Sequence, residues 1–138
     1  MMIQQKQINI TESVDYQLQQ IANNSVNEEC ALLFGSEVDG ICNVDDFYRL
    51  TNMDMSPVSF QFDTKEMLRA FTYASSVNKM VVSVWHSHPQ GMPFPSNKDH
   101  HYMNSFPLVW VIYAKKANKS KSFIRDGEEI VEIMSNIT

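Results

Sequence analysis

The sequence predicts an α+β fold in an α-β-α arrangement, with a mostly antiparallel sheet flanked by helices. Segments with helical spacing of apolar residues alternate with short apolar segments typical of strands, which is the pattern of mixed folds. Of the 138 residues, 43% are hydrophobic and 20% are charged, as in ordinary globular domains. The sequence contains no repeat, low-complexity segment or linker. Residues 1–138 are therefore expected to form a single domain.

The first third of the chain predicts a helix followed by a β-hairpin. Thr11 is a residue type that caps helices, and the apolar residues after it recur at helical spacing, which predicts a helix near residues 12–24. The apolar segment at residues 29–34 ends at Gly35 and predicts a buried strand. The sequence GSEVDG predicts a turn, and residues 41–50 are expected to return as an antiparallel strand.

The middle of the chain predicts a strand, a helix and a second strand. Residues 58–62 alternate between apolar and polar types, as strands do. Asp63 is expected to cap the next helix, with Glu66 closing a capping box. The residues that this helix is expected to bury are Met67, Ala70, Phe71 and Ala74. Residues 80–85 are apolar and rich in β-branched types, which predicts a central strand.

The last third of the chain predicts a short helix, a strand and a hairpin. The helix is expected at residues 96–105, because Ser96 is a favourable N-cap. Residues 108–113 form another apolar strand. Residues 122–125 and 128–134 are expected to pair as a hairpin around the turn sequence Asp126-Gly127.

Charge and cysteine content exclude several classes of protein. The formal net charge is −5, and the densest basic group, Lys115, Lys116, Lys119 and Lys121, is typical of a solvated hairpin tip, so nucleic-acid binding is disfavoured. Cys30 and Cys42 form neither a CxxC pair nor a disulfide framework and are expected to be buried, reduced thiols. The segment MMIQQKQINITES lacks the apolar core of a signal peptide, and the longest apolar run is too short to span a bilayer. We therefore expect a cytoplasmic chain without a membrane partner.

All four histidines of the chain lie between His86 and His101. His86 and His88 end a predicted strand, where residues two apart point to the same face, and Pro89 stops further strand pairing. Asp99 falls in the first turn of the following helix, so its carboxylate can turn back toward the strand. Two imidazoles and a carboxylate predict a three-ligand zinc site whose fourth position is left for water, as in catalytic sites. His100 and His101 lie beyond Asp99 and are weaker candidates.

The general base that such a site requires is expected on the strand with the sequence CALLF. Glu28 or Glu29, at the start of that strand, supplies the carboxylate if the strand lies beside the histidine strand. The sequence by itself leaves the choice between these two residues open.

These motifs resemble the signature of a known family. The residues His86-Ser87-His88-Pro89 and, six residues later, Ser96-Asn97-Lys98-Asp99 resemble the JAMM signature, H-S/T-H-P-x6-S-x-x-D, of the MPN+ (JAB) zinc metalloproteases. Upstream, the sequence EECALLFG is similar to that family's E-x-C-G-L-L-x-G strand, although Ala31 stands where glycine is common. The resemblance covers residues 12–114 and implies the MPN/JAMM, cytidine-deaminase-like fold.

The resemblance implies a role for each residue of the motif. His86, His88 and Asp99 would be the ligands of one Zn²⁺ per chain. Glu28 would be the general base and acid, and Ser96 would stabilise the oxyanion. The implied activity is that of a zinc-dependent metallopeptidase or isopeptidase that hydrolyses an amide bond.

The substrate and the biological setting stay open at this level. The short chain looks like the prokaryotic or viral JAMM proteins, which implies a protein or peptide substrate, with ubiquitin-like and sulfur-carrier proteins as candidates, and self-association as an option. The alternative is a phage tail-assembly or complex scaffold module that retains the zinc site, with a virion-associated location. A zinc deaminase is excluded because its HxE and PCxxC motifs are absent.

Overall fold

The computed structural model describes residues 6–138, and seven strands and three helices lie within this range. None of these helices is long and apolar enough to cross a membrane. The elements in chain order are β1 (Gln7–Ile10), α1 (Glu12–Asn23), β2 (Cys30–Val38), β3 (Ile41–Leu50), α2 (Thr64–Ser76), β4 (Met80–His88), α3 (Asn97–Ser105), β5 (Val109–Ala114), β6 (Lys119–Asp126) and β7 (Glu129–Ile137).

The strands close into a mixed barrel in the order β1-β3-β2-β4-β5-β6-β7. Strand β1 pairs in parallel with both β3 and β7, and β4 pairs in parallel with β5. The remaining neighbours are antiparallel. The predicted α-β-α arrangement, with a mostly antiparallel sheet flanked by helices, is therefore wrong, because the sheet closes into a mixed barrel. Strand β1 was not predicted, because its four residues give too short an alternation, and it completes the closure of the barrel.

Two apolar clusters occupy the two faces of the sheet. One combines residues of α1 with residues of all seven strands, and we assign it to the inside of the barrel. The other covers the outer face of β2–β6 and includes residues of α2 and α3. Helix α1 enters the first cluster through Val14, Leu18 and Ala22, which are spaced at one helical turn and are buried.

Several local predictions are confirmed. Helix α1 begins after Thr11, whose hydroxyl accepts a hydrogen bond of 3.3 Å from the Val14 N–H. Strand β3 spans residues 41–50, and α3 is capped by Ser96, as expected. Cys30 and Cys42 are buried and form no disulfide in the described part of the chain.

Other local predictions are wrong, and tertiary contacts explain why. Residues 51–63, the β3–α2 loop, contain no strand, although Phe60 and Phe62 are buried as the alternation indicated. These two rings pack on each other and on Tyr102, and Phe60 also packs on the face of the sheet, against His86 and Trp110, without pairing as a strand. Strand β2 also continues to Val38, through the first four residues of the predicted turn GSEVDG.

Helix α2 differs from its prediction at two positions. Asp63 caps the helix by accepting from the Lys65 N–H, but Glu66 accepts hydrogen bonds from the main chain and hydroxyl of Thr51 instead of closing a capping box. The Phe71 side chain, expected in the core, is 44% exposed, whereas Ala70 and Ala74 are buried. The buried stripe of α2 is thus narrower than its sequence indicates.

Gly35 marks the place where β2 and β3 come unusually close. A β-bulge interrupts their register between Phe34 and Gly35. A Cβ atom at Gly35 would lie 1.7 Å from the main-chain oxygen of Asn43, a distance that only a backbone shift can relieve. The absence of a side chain is therefore a condition for this strand pairing.

We expect Gly35→Ala to lower the free energy of unfolding by more than ~2 kcal/mol, because the clash is with backbone. Gly91→Ala is the matched control, since its Cβ would meet no atom closer than 3.5 Å, and a change of less than about 0.5 kcal/mol is expected. Chemical denaturation of both variants under identical metal conditions measures the difference. Equal stabilities would contradict the steric role of Gly35.

Candidate metal centre

Strand β4 carries the two central histidines on the outer face of the barrel. His86 is paired with Cys30 of β2 and with Ile112 of β5, so the strand is held on both sides at this point. His86 and His88 alternate with Ser87, and both imidazoles are buried. Their Nε2 atoms lie 3.0 Å apart. The sequence prediction that the two rings share one face agrees with this arrangement.

Helix α3 brings Asp99 to the same point. Ser96 and Asp99 form a capping box, in which the Asp99 carboxylate accepts the Ser96 N–H at 2.8 Å. The same Oδ2 atom lies 3.1 Å from His86 Nε2 and 3.2 Å from His88 Nε2. The cap at the start of α3 therefore also aims the carboxylate at the histidines.

The three atoms form a triangle that fits a metal ion. Zinc binds imidazole nitrogen and carboxylate oxygen at about 2.0–2.2 Å, so the ligand atoms of a tetrahedral site lie roughly 3.3–3.5 Å apart. The observed separations of 3.0, 3.1 and 3.2 Å are slightly shorter. His86, His88 and Asp99 thus have the donor types and the spacing that a small divalent cation requires.

The tautomer of His88 is set by its other ring nitrogen. His88 Nδ1 lies 2.7 Å from the main-chain oxygen of Met92, which can only accept a hydrogen bond, so Nδ1 is the donor. In the neutral ring, Nε2 then carries a free lone pair toward His86 and Asp99. This is the tautomer that metal ligation through Nε2 requires.

His86 is oriented by packing. Its ring lies 4.7 Å from the Phe60 ring and 5.7 Å from the Trp110 ring, measured between centroids. Among the described residues, no group forms a hydrogen bond with its Nδ1 atom. The ring orientation therefore depends on these aromatic neighbours and on the contacts of Nε2 with Asp99 and His88.

Charge is distributed unevenly over the three groups. Burial lowers the pKa of His86, although the Asp99 carboxylate partly opposes this effect. Burial also opposes the charged form of His88, but Asp99 and the Met92 carbonyl outweigh it and raise the pKa of His88 above its ordinary value. Burial alone would raise the pKa of Asp99, yet the two histidines and the Ser96 N–H hold that pKa well below its usual range. Asp99 is therefore the permanent anion of the centre.

Glu28 is the fourth group at the centre. It precedes β2, is only 5% exposed, and offers a carboxylate oxygen within 4.8 Å of ligand atoms of His86 and His88. Burial raises the pKa of Glu28 to about 7, although the charge of His88 partly offsets this effect. Its Oε1 atom has no hydrogen-bond partner among the described residues. A buried carboxyl with a free oxygen and a pKa near neutrality is suited to proton transfer.

The neighbouring Glu29 points elsewhere. Its carboxylate binds Arg49 at 2.8 Å and accepts a hydrogen bond of 2.8 Å from the Ser25 hydroxyl. Its main chain pairs with Ser87, because the Glu29 N–H donates to the Ser87 hydroxyl and the Ser87 N–H donates to the Glu29 carbonyl. Of the two glutamates that the sequence left open, the structure therefore brings Glu28 to the histidines.

The remaining sequence candidates lie at the edge of the centre or outside it. The Ser96 hydroxyl accepts the Asp99 N–H at 3.2 Å, and the residue is exposed. His100 and His101 are exposed on α3 and do not join the buried group. Phe60 and Met92 were not predicted to contact the histidines. The alternation of phenylalanines at 60 and 62 indicated that Phe60 is buried. Met92 contacts His88 through its main-chain oxygen, which every residue type has, so its sequence position gives no indication of this contact.

Comparison with known proteins provides a family and relatives. The family described as prokaryotic homologs of the JAB domain matches residues 12–126. A desampylase from Pyrococcus furiosus is 34% identical over 113 residues, which are 82% of this chain and 78% of that protein.

Two solved structures share the fold. The solution structure of a protein from Desulfitobacterium hafniense has a TM-score of 0.86 and 26% identity, and the match covers 95% of this chain and 92% of that one. The solution structure of a protein from Salinibacter ruber has a TM-score of 0.70 and 22% identity, with coverage of 94% and 91%. At this low identity, the second match supports the fold alone.

We expect Asp99→Asn to weaken zinc binding by at least ~10-fold, because the anion that faces both histidines is lost. Asp63→Asn makes the same chemical change at the start of α2, away from the histidines, and is expected to leave the affinity unchanged. A competition titration against a chromophoric chelator measures both. Equal affinities for Asp99→Asn and the wild-type chain would remove Asp99 from the set of ligands.

Zinc affinity is expected to fall by at least ~10-fold between about pH 7.5 and 5, because protons compete for the imidazoles. The pKa of His88 is raised, so its protonation begins at a higher pH than for an ordinary histidine, whereas Asp99 stays ionised and adds nothing to the slope. The same titration repeated across this pH range is the measurement. A constant affinity would argue against imidazole ligands.

Proposed function

The chain belongs to the family of prokaryotic homologs of the JAB domain, and we propose that it is a zinc-dependent hydrolase of amide bonds. The observation that carries this proposal is the buried Glu28 carboxyl beside the triangle of His86, His88 and Asp99. A metal site with only three protein ligands and an adjacent proton carrier is the arrangement of hydrolytic zinc centres.

His86, His88 and Asp99 would hold the ion through Nε2, Nε2 and Oδ2. Zinc, when bound, would polarise the substrate carbonyl and lower the pKa of a water molecule. The ligands would provide one negative charge, that of Asp99, so half of the charge of a divalent cation would be left to act on substrate. The rings of Phe60 and Trp110 pack against His86, which is fully buried.

Glu28 would move the proton in both halves of the reaction. As a carboxylate, it takes a proton from the attacking water, and as a carboxylic acid it returns that proton to the nitrogen of the leaving amine. A pKa of about 7 suits both steps, because each form of the group is accessible near neutral pH. The free Oε1 atom is the candidate position for this exchange.

Ser96 would act on the oxygen of the scissile carbonyl. Its hydroxyl oxygen accepts the Asp99 N–H, so its own proton is left to donate. Ser96 is exposed beside Asp99, which supports a donor that a substrate can reach. Stabilisation of the developing oxyanion by such a donor is the role we assign to Ser96.

The relative named a desampylase supports a protein substrate. We propose that the bond is an isopeptide bond between the C-terminus of a ubiquitin-like protein and an amine of another protein. The alignment covers most of both chains, so the comparison extends well beyond the metal motif. No observation favours the alternative of a phage tail-assembly or scaffold module.

We expect Glu28→Gln to lower kcat by roughly 10²–10⁴-fold, because proton transfer is lost, while zinc affinity and fold are retained. Glu29→Gln is the matched control at the next position. It weakens only contacts with Arg49 and Ser25 and is expected to keep kcat within about threefold of the wild-type value.

The substrate for this comparison is a ubiquitin-like protein joined through its C-terminus to a lysine peptide, with release followed by electrophoresis. Full activity of Glu28→Gln, or an equal loss in both variants, would refute the role of Glu28. Zinc content measured on the same samples separates a loss of chemistry from a loss of metal.

A further inference from the structure

The main chain of Glu28 lies outside the sheet and depends on the β3–α2 loop. Strand β2 begins two residues later, at Cys30. The Glu28 N–H donates to the Ser56 carbonyl at 2.8 Å, and the Glu28 carbonyl accepts from the Asn52 side-chain amide at 2.9 Å. Both polar groups of the Glu28 main chain are therefore bound by this loop.

Asn52 is the organising side chain of the loop. It is buried, and its Nδ2 atom donates to the carbonyls of Glu28 and Ser59, each at 2.9 Å. Its Oδ1 atom accepts from the N–H groups of Asp54 at 2.9 Å and Gln61 at 3.2 Å. The amide nitrogen thus faces only carbonyls and the amide oxygen faces only N–H groups, so the orientation of the amide is settled by its partners.

The peptide unit between Glu28 and Glu29 is held from two sides. Its carbonyl, from Glu28, binds Asn52, and its N–H, from Glu29, binds the Ser87 hydroxyl at 2.9 Å. A peptide unit is planar, so two hydrogen bonds at opposite ends fix its rotation. This rotation sets the direction in which the Glu28 side chain leaves the main chain. Ser87 lies between the two histidines, which ties the same peptide to the metal-binding strand.

We propose that Asn52 is a positioning residue, which holds the Glu28 carboxyl beside His86, His88 and Asp99. The proposal rests on the proposed function, since it assigns Asn52 a part in that reaction. The four contacts of Asn52 require a side chain that both donates and accepts hydrogen bonds. An aspartate at this position would keep the two acceptor contacts, but it could not donate to the carbonyls of Glu28 and Ser59. Displacements of about 1 Å in a catalytic group can cost ~10²-fold in rate, so a lost peptide contact is a measurable defect.

The test compares two variants of Asn52 with a control in the same loop, all in the zinc-loaded chain. Asn52→Asp retains the acceptor contacts of the loop, and Asn52→Ala serves if the added charge prevents folding. Ser59→Ala is the control, because its hydroxyl binds the Asp54 carboxylate at 2.8 Å and does not contact Glu28.

We expect the Asn52 variants to lose at least ~10-fold in kcat, while KM and zinc affinity stay within about twofold. The amide of Glu28 is expected to exchange with deuterium at least ~10-fold faster, because its hydrogen bond to the loop is loosened. Ser59→Ala is expected to change none of these quantities by more than about twofold.

Three results would overturn the proposal: an unchanged kcat in the Asn52 variants, a loss of zinc affinity as large as the loss of kcat, or the same defect in Ser59→Ala. The last two would show that the loop is only structural. If the wild-type chain hydrolyses no ubiquitin-like conjugate, the proposed function fails instead. Amide exchange at Glu28 then decides by itself whether Asn52 holds this residue, and an unchanged rate would refute that as well.

Discussion

The contact of Asp99 with the two histidine Nε2 atoms is the interaction on which the rest of the site depends. A buried carboxylate is costly unless it is paired and hydrogen-bonded. Here the Ser96 N–H and the two imidazoles surround the Asp99 carboxylate, at distances of 2.8–3.2 Å. The carboxylate and the two histidine Nε2 atoms therefore converge on one point.

This arrangement depends on the barrel, because its parts come from distant segments. Strand β4 is held between β2 and β5, which fixes the position of His86. Strand β2 places Glu28 just before its first residue, at the end of β2 that pairs with the histidine end of β4. Helix α3 and the β3–α2 loop cover the outer face there and supply Asp99 and Phe60. The site therefore lies on the outer face of the sheet, whereas the face that packs on α1 contributes only to the apolar core.

The sequence predicted the parts of the site that depend on short-range spacing. The HxH pattern on a strand and the S-x-x-D pattern at a helix start are local, and each follows from the repeat of its own element. The closure of the barrel is different, because strand β1 has only four residues and gains its partners at positions 41–44 and 134–137. Neither pairing leaves a local pattern. The strand predicted at residues 58–62 is wrong for the opposite reason. A local pattern is present there, but the alternation of Phe60 and Phe62 reflects aromatic packing on Tyr102.

The choice between Glu28 and Glu29 shows most clearly what a local pattern leaves undetermined. The two residues are chemically identical neighbours, and an extended chain directs them to opposite sides. Which of the two side chains faces the histidines depends on the peptide between them, and that peptide is bound by Asn52 and Ser87 from two other segments. The Glu29 carboxylate is also bound by Arg49 and by the Ser25 hydroxyl, which hold it away from the histidines. The catalytic role proposed for Glu28 therefore depends on tertiary contacts, namely the hydrogen bonds to its main chain and the burial of its side chain.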